Sequence, residues 1–217
     1  MIKMPDCGLY AITDSGNHTV TSLLEKTEKI LAAGTGVLQF RDKSRTTSEK
    51  KKVALELSLL CKKYDTVFII NDDITLAKEV NADGIHLGER DKTIKAARKL
   101  AGDLILGKSC YNNLDLALAA ENDGADYVAF GSFFPSKTKP DAREASLDLI
   151  SIAKSKIKIP IVAIGGITPE NGRVLIDAGA EFLAVISGLF DAPDITKVTK
   201  KYLELFNNSN NYDQKIV

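Results

Sequence analysis

The chain is poor in the residues that usually announce a site. Its 217 residues hold only two histidines, His18 and His86, and three cysteines, Cys7, Cys61 and Cys110. Three thiols so widely spaced form neither a disulfide framework nor a zinc ligand set. They read as buried or inert thiols in a reducing cytoplasm. With so little histidine, no Ser-His-Asp or Cys-His arrangement stands out. Charge of one sign is also missing. Lys and Arg number 29, Asp and Glu 29, and the formal net charge is zero. That excludes a global basic field for nucleic acid or an anionic membrane, so any attraction for anions has to be local. Long apolar runs are absent too. The start, MIKMPDCGLY, carries no signal-peptide core, and no later segment reaches transmembrane length. The expectation is a cytoplasmic protein whose partners are small molecules, with no nucleic acid and no membrane.

What is present is alternation. Apolar content is 44% and charged content 27%, ordinary for a globular chain. Eight short apolar runs read as strands: Leu9–Thr13, Val37–Arg41, Val67–Ile70, Gly84–Leu87, Leu104–Gly107, Tyr127–Gly131, Ile161–Ile164 and Phe182–Ser187. A helical pattern follows each one. Between Thr46 and Tyr64, residues Val53, Leu57, Leu60, Cys61 and Tyr64 share one face with lysines opposite. Thr46 with Glu49 reads as its capping box. The joints AAGTGVLQF, NADGIHLG, NDGADYVAFG and DAGAEFLAVIS run through glycine into a strand and form a weak internal repeat. Alternating strands and helices imply a parallel sheet, and eight units in about 200 residues favour a closed (β/α)8 TIM barrel. The expected organisation is one barrel domain over 1–206. A polar, low-complexity tail over 207–217 reads as disordered.

A barrel of this kind collects its active site at the C-terminal ends of the strands. The residues just past each apolar run are therefore the informative ones. In GVLQFRDK, Gln39, Arg41 and Lys43 stand two apart, share one face of a continuing strand, and set two cations within about 13 Å. Asn71 and Asp72 stand where the third run stops, and Asp91 follows the fourth. One or two carboxylates suit Mg²⁺, which keeps waters and takes phosphate oxygens. Each Asp also fits a plain helix cap, Asp91 before KTIKAARKL above all. Lys108 and Ser109 end the fifth run. The sixth leads into FFPSKTKPDA, where Ser136, Lys137, Thr138 and Lys139 suit a phosphate-rich ligand or a solvated charged loop. In AIGGITPEN, Gly165 and Gly166 precede Thr168 as a helix N-cap and Pro169 at its first position. That is a phosphate-binding pattern or a tight turn. VISG, with Ser187, closes the eighth run. Two anion sites result: a backbone nest near Gly165, Gly166 and Ser187, and a cluster of Arg41, Lys43, Lys139 and a metal. His18 reads as an exposed loop residue. His86 alternates with Gly84 and Gly88, which suits packing or site lining equally.

Taken in order, these segments resemble the thiamine-phosphate synthase family over nearly the whole chain, from LYAITD to VISGLF. QFRDK is similar to its Q-x-R-x-K segment. IINDD and GIHLGERD resemble its metal segments, GSFFPSKTKPDA its phosphate loop, and AIGGI and VIS its phosphate-binding ends. The resemblance implies a transferase of thiamine biosynthesis. Such an enzyme joins 4-amino-2-methyl-5-hydroxymethylpyrimidine diphosphate to a thiazole phosphate, with Mg²⁺-assisted, dissociative loss of diphosphate. By the same resemblance, Gln39 and Asn71 contact the pyrimidine diphosphate. Arg41, Lys43, Ser109 and Lys139 hold its diphosphate and act in catalysis. Asp72 and Asp91 ligate Mg²⁺. Ser136, Thr138, Gly166, Ile186 and Ser187 hold the thiazole phosphate. The sequence departs from the pattern at Ser132, Ser136, Glu89 and Tyr111, where proline, threonine, glutamine and histidine are usual. A thiazole tautomerase of the same barrel family is one alternative, although its histidine position reads Tyr111 here. A non-catalytic phosphate-binding regulator is another.

Overall fold

The structure is a computed structural model that describes residues 3–13, 18–89, 91–135 and 144–207. Eight strands form the inner layer: β1 (Gly8–Ile12), β2 (Val37–Phe40), β3 (Val67–Asn71), β4 (Gly84–Leu87), β5 (Ile105–Tyr111), β6 (Tyr127–Phe130), β7 (Ile161–Ile164) and β8 (Phe182–Val185). They pair in chain order, all parallel, and β8 closes on β1. The helices are α1 (Val20–Ala32), α2 (Thr47–Lys63), α3 (Ile74–Glu79), α4 (Ile94–Ala101), α5 (Leu114–Asn122), α6 (Leu147–Lys156), α7 (Arg173–Asp177), α8 (Ser187–Phe190) and α9 (Ile195–Asn207). The expected TIM barrel is what forms.

Strand alternation divides the apolar residues between two cores. Leu9, Ala11, Leu38, Phe68, Ile70, Ile85, Leu106, Val128, Ala163 and Leu183 face outward onto the helices. Tyr10, Ile12, Val37, Val67, Ile69, Ile105, Tyr127, Val162 and Phe182 fill the barrel interior. Local chemistry starts the helices. Thr46 and Glu49 form the expected reciprocal capping box on α2. Thr19, Asp73, Thr93 and Asn113 cap α1, α3, α4 and α5 through their side chains.

Several strand ends differ from the sequence reading by one or two residues, β8 among them, which stops at Val185 with Ser187 already in α8; three differences have a clear physical reason. β2 stops at Phe40 because Thr13 takes over the backbone of Arg41: Arg41 N–H donates to Thr13 Oγ1 at 2.9 Å and Thr13 Oγ1 donates to Arg41 O at 3.1 Å. Arg41 and Lys43 thus leave from a loop and not from a continuing strand. β5 runs on to Tyr111, with an irregular register between Ser109 and Tyr111, and Tyr111 adopts φ +55°. Thr168 does not cap a helix. Residues 168–172 form a turn in which Thr168 N–H donates to Asn171 Oδ1 at 2.7 Å and Gly172 N–H to Thr168 O at 2.9 Å. α7 begins only at Arg173. In addition, α9 runs through Asn207, one residue into the segment read as tail.

Candidate active site

At the C-terminal mouth of the barrel lies a cavity of about 860 Å³. Gln39, Arg41, Lys43, Asn71, Asp72, Asp91, Ser109, Gly165, Gly166, Ile186 and Ser187 all line it. The fold therefore gathers, around one space, residues spread over almost 150 positions of sequence. Ser136, Thr138 and Lys139, the remaining candidates, lie outside the described residues, as does Lys137.

The wall built by β2, β3 and β4 carries charge. Asp42, silent in the sequence reading, shapes the loop after β2. Its Oδ1 accepts from Ser44 N–H at 2.9 Å and Arg45 N–H at 3.0 Å, while its Oδ2 pairs with Arg45 Nη1 at 2.5 Å. The resulting fold of the loop directs Arg41 and Lys43 to the cavity. Asn71 ends β3 and Asp72 follows in the left-handed region, φ +64°, its N–H held by His86 O at 2.9 Å. That conformation is unusual for a residue with a side chain. The residue as a whole is exposed, yet its carboxyl is partly desolvated and turned within hydrogen-bonding range of Asp91. Desolvation first and Asp91 second push the Asp72 carboxyl up to about 6, against the opposing pull of Lys43 and Asn71.

Neither aspartate caps a helix. Asp73 caps α3 through Leu76 N–H at 2.9 Å, and Thr93 caps α4 through Ala96 N–H at 3.2 Å. Asp91 instead ties its own loop, with Oδ2 accepting Gly88 N–H at 2.6 Å. Among the described residues, no group of three or more His, Cys, Asp and Glu gathers as a metal site. Two crowded carboxylates fit a hard cation that draws its other ligands from water and phosphate. Lys108 does not reach the cavity. Its ammonium donates to Gly88 O at 2.6 Å and braces the loop that carries Asp91.

The wall built by β7 and β8 carries backbone. Gly165 and Gly166 adopt φ +109° and +59°. A Cβ on Gly165 would overlap Ser132, and one on Gly166 would lie 2.7 Å from Phe134 O. Glycine is thus required twice, for conformation and for close approach. Asn171 Nδ2 holds Gly166 O at 3.0 Å. Opposite, α8 begins at Ser187 directly after β8, with Ile186 at its N-cap position.

The floor contains residues the sequence reading undervalued. His86 is buried; its Nδ1 meets Tyr127 Oη at 3.0 Å and its Nε2 meets Ser109 Oγ at 2.8 Å. Burial, with Lys108 adding to it, pulls the imidazole down to about 4, so the ring is neutral at ordinary pH. Tyr10 and Tyr127 fall within two of the apolar runs and drew no site reading from the sequence. Both also reach the cavity. The one sequence signal was period-two alternation, which puts Tyr10, Gln39, His86 and Ser109 on inward faces. His18 is half-buried, not the exposed residue expected, because its ring packs 6.1 Å from that of Phe190 and Lys26 Nζ lies 3.5 Å from its Nδ1. Cys61 and Cys110 are buried and Cys7 is exposed. Burial raises both buried thiols, Cys110 to about 12, so neither is a nucleophile.

A parallel (β/α)8 barrel with charged and glycine-lined walls facing each other at its C-terminal mouth belongs to the class of phosphate-handling barrel enzymes. Comparison with known proteins narrows the class. The family model described as thiamine monophosphate synthase matches residues 9–189. A thiamine-phosphate synthase of Thiobacillus denitrificans is 48% identical over 200 residues, covering 92% of this chain and 94% of that protein. One from Nitrosococcus oceani is 47% identical, covering 92% of each. A solved thiamine phosphate pyrophosphorylase from Pyrococcus furiosus superposes with a TM-score of 0.86 at 35% identity, over 94% of this chain and 96% of that one. The chain belongs to the thiamine monophosphate synthase family.

Proposed function

We propose that this chain is the transferase that joins 4-amino-2-methyl-5-hydroxymethylpyrimidine diphosphate to a thiazole phosphate, releasing diphosphate and forming thiamine phosphate. The observation that carries the reading is the pair of unlike walls across one cavity. A diphosphate needs several cations, and the β2–β4 wall offers Arg41 and Lys43 beside two carboxylates able to hold a cation. A monophosphate needs a close nest of backbone N–H groups, and the glycine wall allows one. Lys139 is assigned to the diphosphate. Ser136 and Thr138 join Gly166, Ile186 and Ser187 on the thiazole phosphate. Gln39 and Asn71 take the pyrimidine side.

The chemistry is dissociative. The C–O bond to diphosphate breaks with its electron pair leaving on oxygen, and the thiazole nitrogen lone pair then forms the new C–N bond. Asp72 and Asp91 are the residues that would hold Mg²⁺, which would supply neutralising charge for the leaving group. Arg41, Lys43 and Ser109 hold the diphosphate oxygens where charge develops. No strong base is needed, in keeping with a neutral His86 held between two hydroxyl groups. The tautomerase alternative is not favoured, since a single phosphorylated substrate leaves the charged wall without a task. The test is a two-substrate assay with Mg²⁺, reading diphosphate release and thiamine phosphate together. Loss of both on chelation is expected; full activity without divalent metal would remove the roles of Asp72 and Asp91.

A further inference from the structure

Below both walls runs a hydrogen-bonded chain that crosses the barrel. Gln39 Nε2 on β2 donates to Tyr10 Oη on β1 at 2.7 Å. Tyr10 Oη lies 2.8 Å from Tyr127 Oη on β6. Tyr127 Oη lies 3.0 Å from His86 Nδ1 on β4, and His86 Nε2 lies 2.8 Å from Ser109 Oγ on β5. Tyr10, Gln39 and Tyr127 are at most 2% exposed and His86 8%, so bulk water does not compete for these contacts. Space for the chain is provided by missing side chains. Gly107 pairs with Tyr127 in the β5–β6 register, and a Cβ there would overlap the tyrosine ring. Gly84, inward on β4, makes room instead for Ile105 and Ile69 in the barrel interior. The rings of His86 and Tyr127 stack at 5.6 Å.

The hydrogens in this chain can be counted. A phenol has one O–H and a neutral imidazole one N–H. Either phenol can donate in the Tyr10–Tyr127 contact; because Gln39 already donates into Tyr10, the favoured order sends the Tyr10 hydrogen on to Tyr127, and the Tyr127 hydrogen to His86 Nδ1. The imidazole proton then sits on Nε2 and is given to Ser109 Oγ. Ser109 keeps its own hydrogen for the cavity, and Gln39 keeps its amide oxygen as an acceptor at the cavity wall. To reverse the Ser109 end, both phenols, the imidazole and the serine must turn together.

We propose that Gln39, Tyr10, Tyr127, His86 and Ser109 form one polarity relay, which makes the acceptor at Gln39 and the donor at Ser109 a single recognition unit. The ligand it matches has a hydrogen-bond donor, such as an exocyclic amine, at one end and an anionic or ring-nitrogen acceptor at the other. Tyr10, Tyr127 and His86 are positioning residues. Only the identity of that ligand rests on the function proposed above; the order of the hydrogens does not.

The experiment is ¹⁵N NMR of the imidazole in the full, ligand-free chain, followed by a kinetic double-mutant cycle. His86 is expected as the Nε2–H tautomer in the unmutated protein, and finding Nδ1–H would overturn the assigned direction without touching the function. Gln39→Leu removes the directing donor and is expected to shift His86 toward a mixture of tautomers. In a Tyr127→Phe background the same change should leave His86 unmoved; an equal response there would overturn the relay. In kcat/KM, Gln39→Leu and Ser109→Ala are expected to be non-additive by at least about tenfold, and additive once Tyr127→Phe is present. Simple additivity in the parent protein would also overturn it.

Discussion

Under the proposed function, the two walls of the cavity handle anions by different physics. The β2–β4 wall uses side chains: Arg41 and Lys43, with Asp72 and Asp91 crowded nearby. The β7–β8 wall uses main chain, brought close by Gly165 and Gly166 and ordered by Asn171. Side-chain charges adapt to a group that changes charge as a bond breaks, and carboxylates can recruit a cation for it. A backbone nest is rigid and suits a phosphate that only has to be held. The difference matches the two substrates in kind: one phosphate group departs and the other stays.

Substitutions should separate the walls. Arg41→Ala removes a charge aimed at the leaving group, and a fall of about 10²–10³ in kcat/KM for the pyrimidine diphosphate is expected, the scale of losing one preorganised donor. Initial rates with each substrate varied check it; an equal rise in the thiazole phosphate KM would erase the distinction between the walls. The next effect concerns the shared floor. Because the His86 pKa is lowered to about 4, the folded state disfavours its protonation. The unfolded chain binds the extra proton first, near its ordinary value of about 6.5. Stability is therefore full above that pH and is lost as pH falls toward 4, by on the order of 3 kcal/mol. The raised Asp72 carboxyl acts in the opposite sense over the same range, so the His86 share is read from urea unfolding as the difference between the parent protein and His86→Gln, which should lack it.

Gly166→Ala should act on the other wall. Its positive φ and the nearby Phe134 carbonyl force the backbone to shift. A rise of roughly tenfold to a hundredfold in the thiazole phosphate KM is expected, with the pyrimidine diphosphate much less affected. Similar changes for both substrates would argue for a general loss of shape. Smallest is Thr46→Ala, which breaks the α2 capping box far from either wall. It should cost about 1 kcal/mol of stability by denaturant melt and leave both KM values unchanged.

Much of the site was legible in one dimension. Most of the described residues at or just past the ends of the apolar runs, Gln39, Arg41, Asp72, Ser109 and Ser187 among them, gather around one cavity, because a parallel barrel brings all strand ends to one rim. Other features were hidden. The sequence left Asp72 and Asp91 open between cap and ligand, and only the placement of Asp73 and Thr93 on the helix starts removed the cap reading. Thr168 looked like an N-cap, yet Asn171 folds that segment into a turn. Lys108 looked like a rim cation, but an odd step along β5 turns it away from Ser109 and onto Gly88.

By itself, then, the sequence determined the alternation of strand and helix, the division of inner from outer faces, and which residues stand at the strand ends. Those are set by period and by neighbours a few positions apart. The tertiary structure decided where β2 stops, because Thr13 lies 28 positions from Arg41. It also decided that five inward residues from five strands join hands across the floor. Contacts such as Tyr10 with Tyr127, 117 positions apart, leave no local pattern. They exist only once the barrel closes and Gly107 leaves room for a ring.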